Sequence, residues 1–125
     1  MLYRPARTQL SLTRLTRVQS TCIGQERKGI SCEVIDLRTL APLDTDAILN
    51  SVRKTNRVVI AHEACLRGGF GGEVAALIAE HAFDYLDAPP VRVGALDTPM
   101  PYNDRLERAV IPAAKDILKA IKSLF

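Results

Sequence analysis

The sequence is short of the residues on which many small sites are built. It has three cysteines, Cys22, Cys32 and Cys65, an odd number at irregular spacing. That excludes a disulfide framework and a zinc site made of CxxC pairs, and it fits a reducing compartment. No apolar run approaches the ~18 residues that a membrane-spanning helix requires, so a membrane is not an expected partner. Acidic residues are missing from the whole stretch before Glu26. Residues 1–29 hold six basic residues against that one acid, whereas the remainder holds eleven basic and thirteen acidic residues. The net charge of +3 therefore belongs to the head of the chain. A basic tail can bind nucleic acid, but no aromatic beyond Tyr3 interleaves this one, so nucleic acid is not expected either. The Arg-, Ser- and Thr-rich head resembles a mitochondrial transit peptide. A cytoplasmic location is the simpler expectation, with the mitochondrial matrix as the alternative.

What is present fits one soluble domain: 125 residues, 47% hydrophobic and 25% charged, enough to bury a core. Residues 1–28 read as an atypical, loosely ordered basic head, in which Leu12, Leu15, Val18 and Cys22 could share a short helical face. From residue 29 to 125 the texture changes. Strands are expected over 32–37, 57–61 and 91–93, the second a β-branched run typical of a strand covered on both faces. Asp44 is placed to cap a helix over 45–54, and a second helix is expected over 73–83. Ile111-Pro112 is expected to open a last helix, with Ile117, Leu118, Ile121 and Leu124 as its buried stripe. Strands alternating with helices indicate a three-layer α/β/α domain with a mainly parallel sheet.

The motifs that could carry chemistry are incomplete. Gly69-Phe-Gly71 begins like a dinucleotide fingerprint, but Val74 stands where GxGxxG needs its third glycine, and no GK[ST] follows. The glycines of 68–72 are better explained by tight backbone packing and positive φ angles, although a glycine turn before a helix can also receive an anion. His62-Glu63 follows a parallel strand, where open α/β sheets place ligands. Leu66 occupies the position at which HExxH requires its second histidine, and no GxSxG elbow is present. His81 has no partner at metal-ligand spacing. Catalytic, cofactor-binding and metal residues are therefore not expected in this chain. The candidates that remain are interface or docking residues: His62, Glu63, Phe70 and Phe125.

A series of segments carries a resemblance. They are GISCEVIDLRTLAPLD (29–44), KTNRVVIAHEA (54–64), GGFGGEV (68–74), LDAPPVRV (86–93), DTPMPY (97–102) and VIPAAKDI (110–117). Their order and spacing resemble the C-terminal domain of the beta subunit of thiamine-diphosphate-dependent 2-oxo-acid dehydrogenases, a transketolase C-terminal domain. The resemblance implies an assembly and partner-docking domain, not catalytic alone, within a decarboxylating enzyme, with the pyruvate type expected. It implies as partners an alpha subunit, a second beta subunit and the binding domain of an acyltransferase. Thiamine diphosphate and magnesium would belong to the complete enzyme, held by parts outside this chain. Phe125 resembles the terminal residue with which some members hold the acyltransferase. The family domain opens with a strand and a helix before the segment matching Gly29. Arg4, Pro5 and Arg7 interrupt any buried strand, so both elements are expected to be lacking, as in a truncated or reframed product. Two other readings stay open: a domain of another transketolase-like enzyme, and a free-standing basic-headed interaction module.

Overall fold

The computed structural model describes residues 30–125 and, as backbone, a strand at 8–11. Four strands, β1 (Thr8–Ser11), β2 (Glu33–Asp36), β3 (Val58–Cys65) and β4 (Val91–Ala95), form one sheet in the order β2-β1-β3-β4. Every neighbouring pair is parallel. Parallel neighbours cannot be joined by a tight hairpin, so helices make the crossovers. Helix α1 (Thr45–Thr55) links β2 to β3, and α2 (Gly71–Ala82), followed by a 3-10 turn at Phe83–Tyr85, links β3 to β4. Helices α3 (Asp104–Val110) and α4 (Ala114–Ser123) complete the described chain.

β3 organises the packing because its side chains alternate between two covered faces. Val58 and Ile60 face α1 and α2, where they meet Ile48, Val52, Val74 and Ile78. Val59 and Ala61 face the opposite layer and meet Ile117, Ala120, Ile121 and Leu124. These four β3 residues are essentially inaccessible to solvent. Burial on both faces explains why this stretch is a continuous apolar run instead of an alternating one. The three-layer α/β/α arrangement expected from the sequence is the one observed.

The expected lack of a first strand is corrected. Thr8–Ser11 pairs with Glu33–Asp36 on one side and with Val58–Ala61 on the other, at the middle of the sheet. A four-residue strand with one large apolar residue is held by two neighbours from distant parts of the chain, and that help is invisible to a local reading. The expected loose order is corrected at 8–11 as well, since those residues sit in the sheet. For the rest of the head that expectation, the short helical face and the expected lack of a first helix lie outside the described residues. The last helix also starts later than expected, at Ala114. The Asp116 carboxylate reaches back to accept the Ala113 amide at 2.8 Å, so the first turn closes there and Pro112 stays outside it.

Local chemistry fixes the other boundaries. Asp44 caps α1 by accepting from the Ala47 amide at 3.0 Å. Asn56 ends α1 in the left-handed region, with φ 64, a conformation asparagine tolerates better than most residues. Its amide donates to the Val52 carbonyl at 2.8 Å, while its side chain donates to the Tyr85 carbonyl at 2.6 Å. One residue thus stops a helix and anchors the turn that follows the next one.

Candidate functional site

Four strands delivering their C-terminal ends to one edge create the position at which parallel sheets usually hold ligands. β3 reaches that edge through an irregularity. Ala61 pairs with Val93, and the next pair is Cys65 with Ala95, so β3 spends two extra residues between them. Such bulges re-aim side chains. His62 lies within this one, on the side where Arg92 and the glycine loop sit.

Three glycines, Gly69, Gly71 and Gly94, crowd the His62 ring. A methyl group built on Gly71 would run into Cδ2 and Nε2 of the imidazole, and one on Gly94 would come within 3.1 Å of Cε1. At Gly69 it would run first into the Cys65 carbonyl oxygen and also come within 2.7 Å of Cε1. Those approaches leave no room for a side chain at Gly69 or Gly71 and only a tight fit at Gly94. Gly68 serves a different purpose, turning the chain with φ +65 where open space surrounds it. The sequence reading of this cluster as packing and turn geometry agrees with both observations.

His62 is 3% exposed, and neither ring nitrogen has a hydrogen-bond partner among the described residues. Burial pushes its pKa below the ordinary histidine value, and the Arg92 guanidinium pushes it further; the nearby Ala64 carbonyl opposes both. The ring is therefore a neutral plug between β3, β4 and the start of α2. A general base must be able to reach a substrate proton, and the glycine walls close that approach. Arg92 is held by a 3.0 Å bond from Nη1 to the Leu66 carbonyl.

The other candidates are scattered. Glu63 is half-buried beside His62. Phe70 is half-buried and packs on the core formed by Ile48, Ile60 and Ile78. Phe125 lies at the opposite end of β3, where its ring sits under the Arg57 guanidinium at 4.4 Å and is 53% exposed. Arg57 and His62 are five residues apart on extended backbone, about 16 Å at the usual strand rise. The structure thus sets the loop that carries Phe70 against His62 in β3, with Glu63 next to it in the strand, and leaves Phe125 far from all three.

Arg57 is the residue that sequence reading missed. Its Nη1 donates to the Leu124 carbonyl at 2.6 Å, and its Nε lies 3.6 Å from the Asp87 carboxylate. It ties the end of α4 to the base of the central strand. Its only sequence signal was a charged residue abutting the most apolar run. Asp97 was missed as well; it takes both the amide and the Nε of Arg67, at 3.0 and 3.2 Å, which fixes the loop after β3.

Thiamine diphosphate with magnesium requires clustered oxygen ligands and groups directed at phosphate. Among the described residues no three His, Cys, Asp or Glu side chains gather to hold a metal, and the enclosed His62 offers no donor to one. The described residues do not fit that cofactor. No described helix is long and apolar enough to cross a membrane.

Comparison with known proteins agrees with this geometry. Residues 20–117 match the model of the transketolase C-terminal domain. The chain is 42% identical over 117 residues to the mitochondrial pyruvate dehydrogenase E1 component subunit beta of Dictyostelium discoideum, covering 90% of this chain and 33% of that protein. It is 49% identical over 109 residues to 2-oxoisovalerate dehydrogenase subunit beta 2 of Arabidopsis thaliana, covering 87% and 30%. A solved structure of a split-gene transketolase, described as an inactive beta4 tetramer, superposes with a TM-score of 0.77 at 25% identity, covering 97% of this chain and 38% of that one. The chain spans about a third of the length of the curated relatives it matches. A parallel α/β/α sandwich, a plugged strand end and a collinear match over most of its length lead to one assignment: the chain belongs to the transketolase C-terminal domain family, and its relatives are beta subunits of pyruvate and branched-chain 2-oxo-acid dehydrogenases.

Proposed function

We propose that this chain acts as the assembly and partner-docking domain of the decarboxylating component of a 2-oxo-acid dehydrogenase. The observation that carries the reading is the run of identity above 40% to beta subunits of such enzymes, confined to about a third of their length. Its alpha subunit, second beta subunit and thiamine diphosphate with magnesium would come from the complete enzyme. The pyruvate type remains the first reading, supported by relatives from Dictyostelium discoideum and Rickettsia felis. The 49% identity to a 2-oxoisovalerate dehydrogenase subunit favours a second reading, the branched-chain type.

Co-expression with the remaining beta-subunit portion and the alpha subunit from the same genome tests the proposal. The chain is expected to co-purify with them and to restore 2-oxo-acid-dependent reduction of an artificial acceptor, pyruvate being used faster than 2-oxoisovalerate. The chain alone is expected to give no turnover above a mock preparation. Failure to co-purify would remove the assembly role, and a preference for 2-oxoisovalerate would select the branched-chain reading.

Phe125 belongs to the same proposal as a residue that docks the acyltransferase. Its half-exposed ring, braced by Arg57, supports that reading. Deleting Phe125 is expected to weaken binding of the cognate binding domain by ~1–3 kcal/mol in calorimetric titration. Equal affinity with unchanged folding would leave only a packing role.

A further inference from the structure

β4 is the last strand of the sheet, and among the described residues no strand lies beyond it. Ala95 turns its carbonyl inward to the Leu66 amide, whereas Leu96 turns its amide outward to the Val110 carbonyl. Backbone groups alternate along a strand, so the N–H and C=O of Arg92 and Gly94 face away from β3. An edge of this kind is a template for another strand. Two hollows flank it, of about 340 and 520 Å³, and they share Val93, Gly94 and Asp116. They therefore form one groove along β4, bounded by α4 on one side and by the segment from α3 to α4 on the other.

The side chains around this groove state which strand it fits. Arg92 and Lys119 line the first hollow, and Arg108 and Lys115 line the second; all four are exposed. The lining acid is Asp116, and its carboxylate is engaged by the Ala113 amide. Leu96, 61% exposed, adds an apolar surface at the end of the strand. We infer that β4 accepts an extended acidic segment of a partner protein, which adds a strand at Arg92 and Gly94 and sets its carboxylates against these four cations. Backbone bonds supply the pairing and alternate side chains supply the choice of partner. This inference goes beyond the dehydrogenase reading and does not need it, since the groove belongs to the chain alone.

The probe is a capped, fluorescein-labelled octapeptide alternating valine and glutamate, titrated into the full chain. Saturable binding below about 1 mM is expected, with amide shifts in NMR spectra concentrated at Arg92, Gly94 and Leu96. The double variant Lys115→Glu/Lys119→Glu, both positions being exposed, is expected to keep the wild-type melting temperature and bind at least about tenfold more weakly. No binding at that concentration overturns the inference, as does equal binding of a valine–lysine peptide or of the double variant. A self-association that buries the same amides and excludes the peptide would assign the edge to a second copy of the chain instead. None of these results bears on co-purification with an alpha subunit, so the two proposals fail separately.

Discussion

At the scale of single residues, the histidine plug makes a pH-dependent contribution to stability whose sign follows from its surroundings. Burial and Arg92 lower the His62 pKa in the fold, so below the unfolded value of about 6.5 the unfolded chain binds more protons than the folded one. The contribution is fully present above that value and is lost as pH falls through it. One group can change stability by at most about 1.4 kcal/mol per pH unit. Urea unfolding at pH 7.5 and 5.5 is expected to show a larger loss for wild type than for His62→Phe, and parallel losses would refute the assignment. A second prediction concerns the wall of the plug. Gly71→Ala places a methyl group against the imidazole and is expected to cost about 1–3 kcal/mol by overpacking. Combining it with His62→Ala should recover much of that cost, a coupling that additive stabilities would disprove. The glycines were legible as packing residues, but the partner they pack against was not. His62 is adjacent to them in sequence only as far as a bulge allows, and no periodicity announces a bulge.

Elements were legible in proportion to the apolar side they bury. α1, α2 and α4 each present such a side, with Ile48 and Val52, Val74 and Ile78, and Ile117 and Ile121 buried. Their positions follow from the spacing of those residues. α3 buries none of its residues, so a reading based on apolar stripes passes over it. Its start is written in hydrogen bonds instead: Asn103 accepts the Arg105 amide at 2.9 Å and the Leu106 amide at 3.4 Å. Asn103→Ala is therefore expected to cost about 1 kcal/mol, with faster amide exchange confined to 104–110. Exchange unchanged in α3 would mean that the loops on either side hold the helix. β1 is the opposite case. Its residues carry little strand signal of their own, and the sheet position comes from β2 and β3.

For the whole molecule, the position of β1 makes residues 8–11 part of the fold. It separates β2 from β3, so removing residues 1–11 leaves those two strands without a partner between them. Such a deletion is expected to abolish cooperative unfolding, read by circular dichroism during a urea titration. A deletion variant that unfolds as sharply as the full chain would place β1 outside the cooperative unit. Amide exchange at 9–11 is expected to be slowed alongside that of Val58–Ala61, for the same reason.

The all-parallel ladder also sets how the domain is reached in time. Thr8 pairs with Glu33 and with Val58, so both partners of the first strand are synthesised long after it. Among the described residues no hairpin serves as a quick local nucleus, because hairpins join antiparallel strands and every pair here is parallel. The crossover from β3 through the glycine loop and α2 to β4 is the route by which early order can form around an apolar strand, with His62 already inside it. Until β1 and β2 arrive, the other edge of β3 stands open, a row of β-branched side chains and unpaired amides. Contacts distant in sequence make folding slow and lengthen that exposure. The strand that holds the finished domain together is thus the one by which an unfinished copy can capture another.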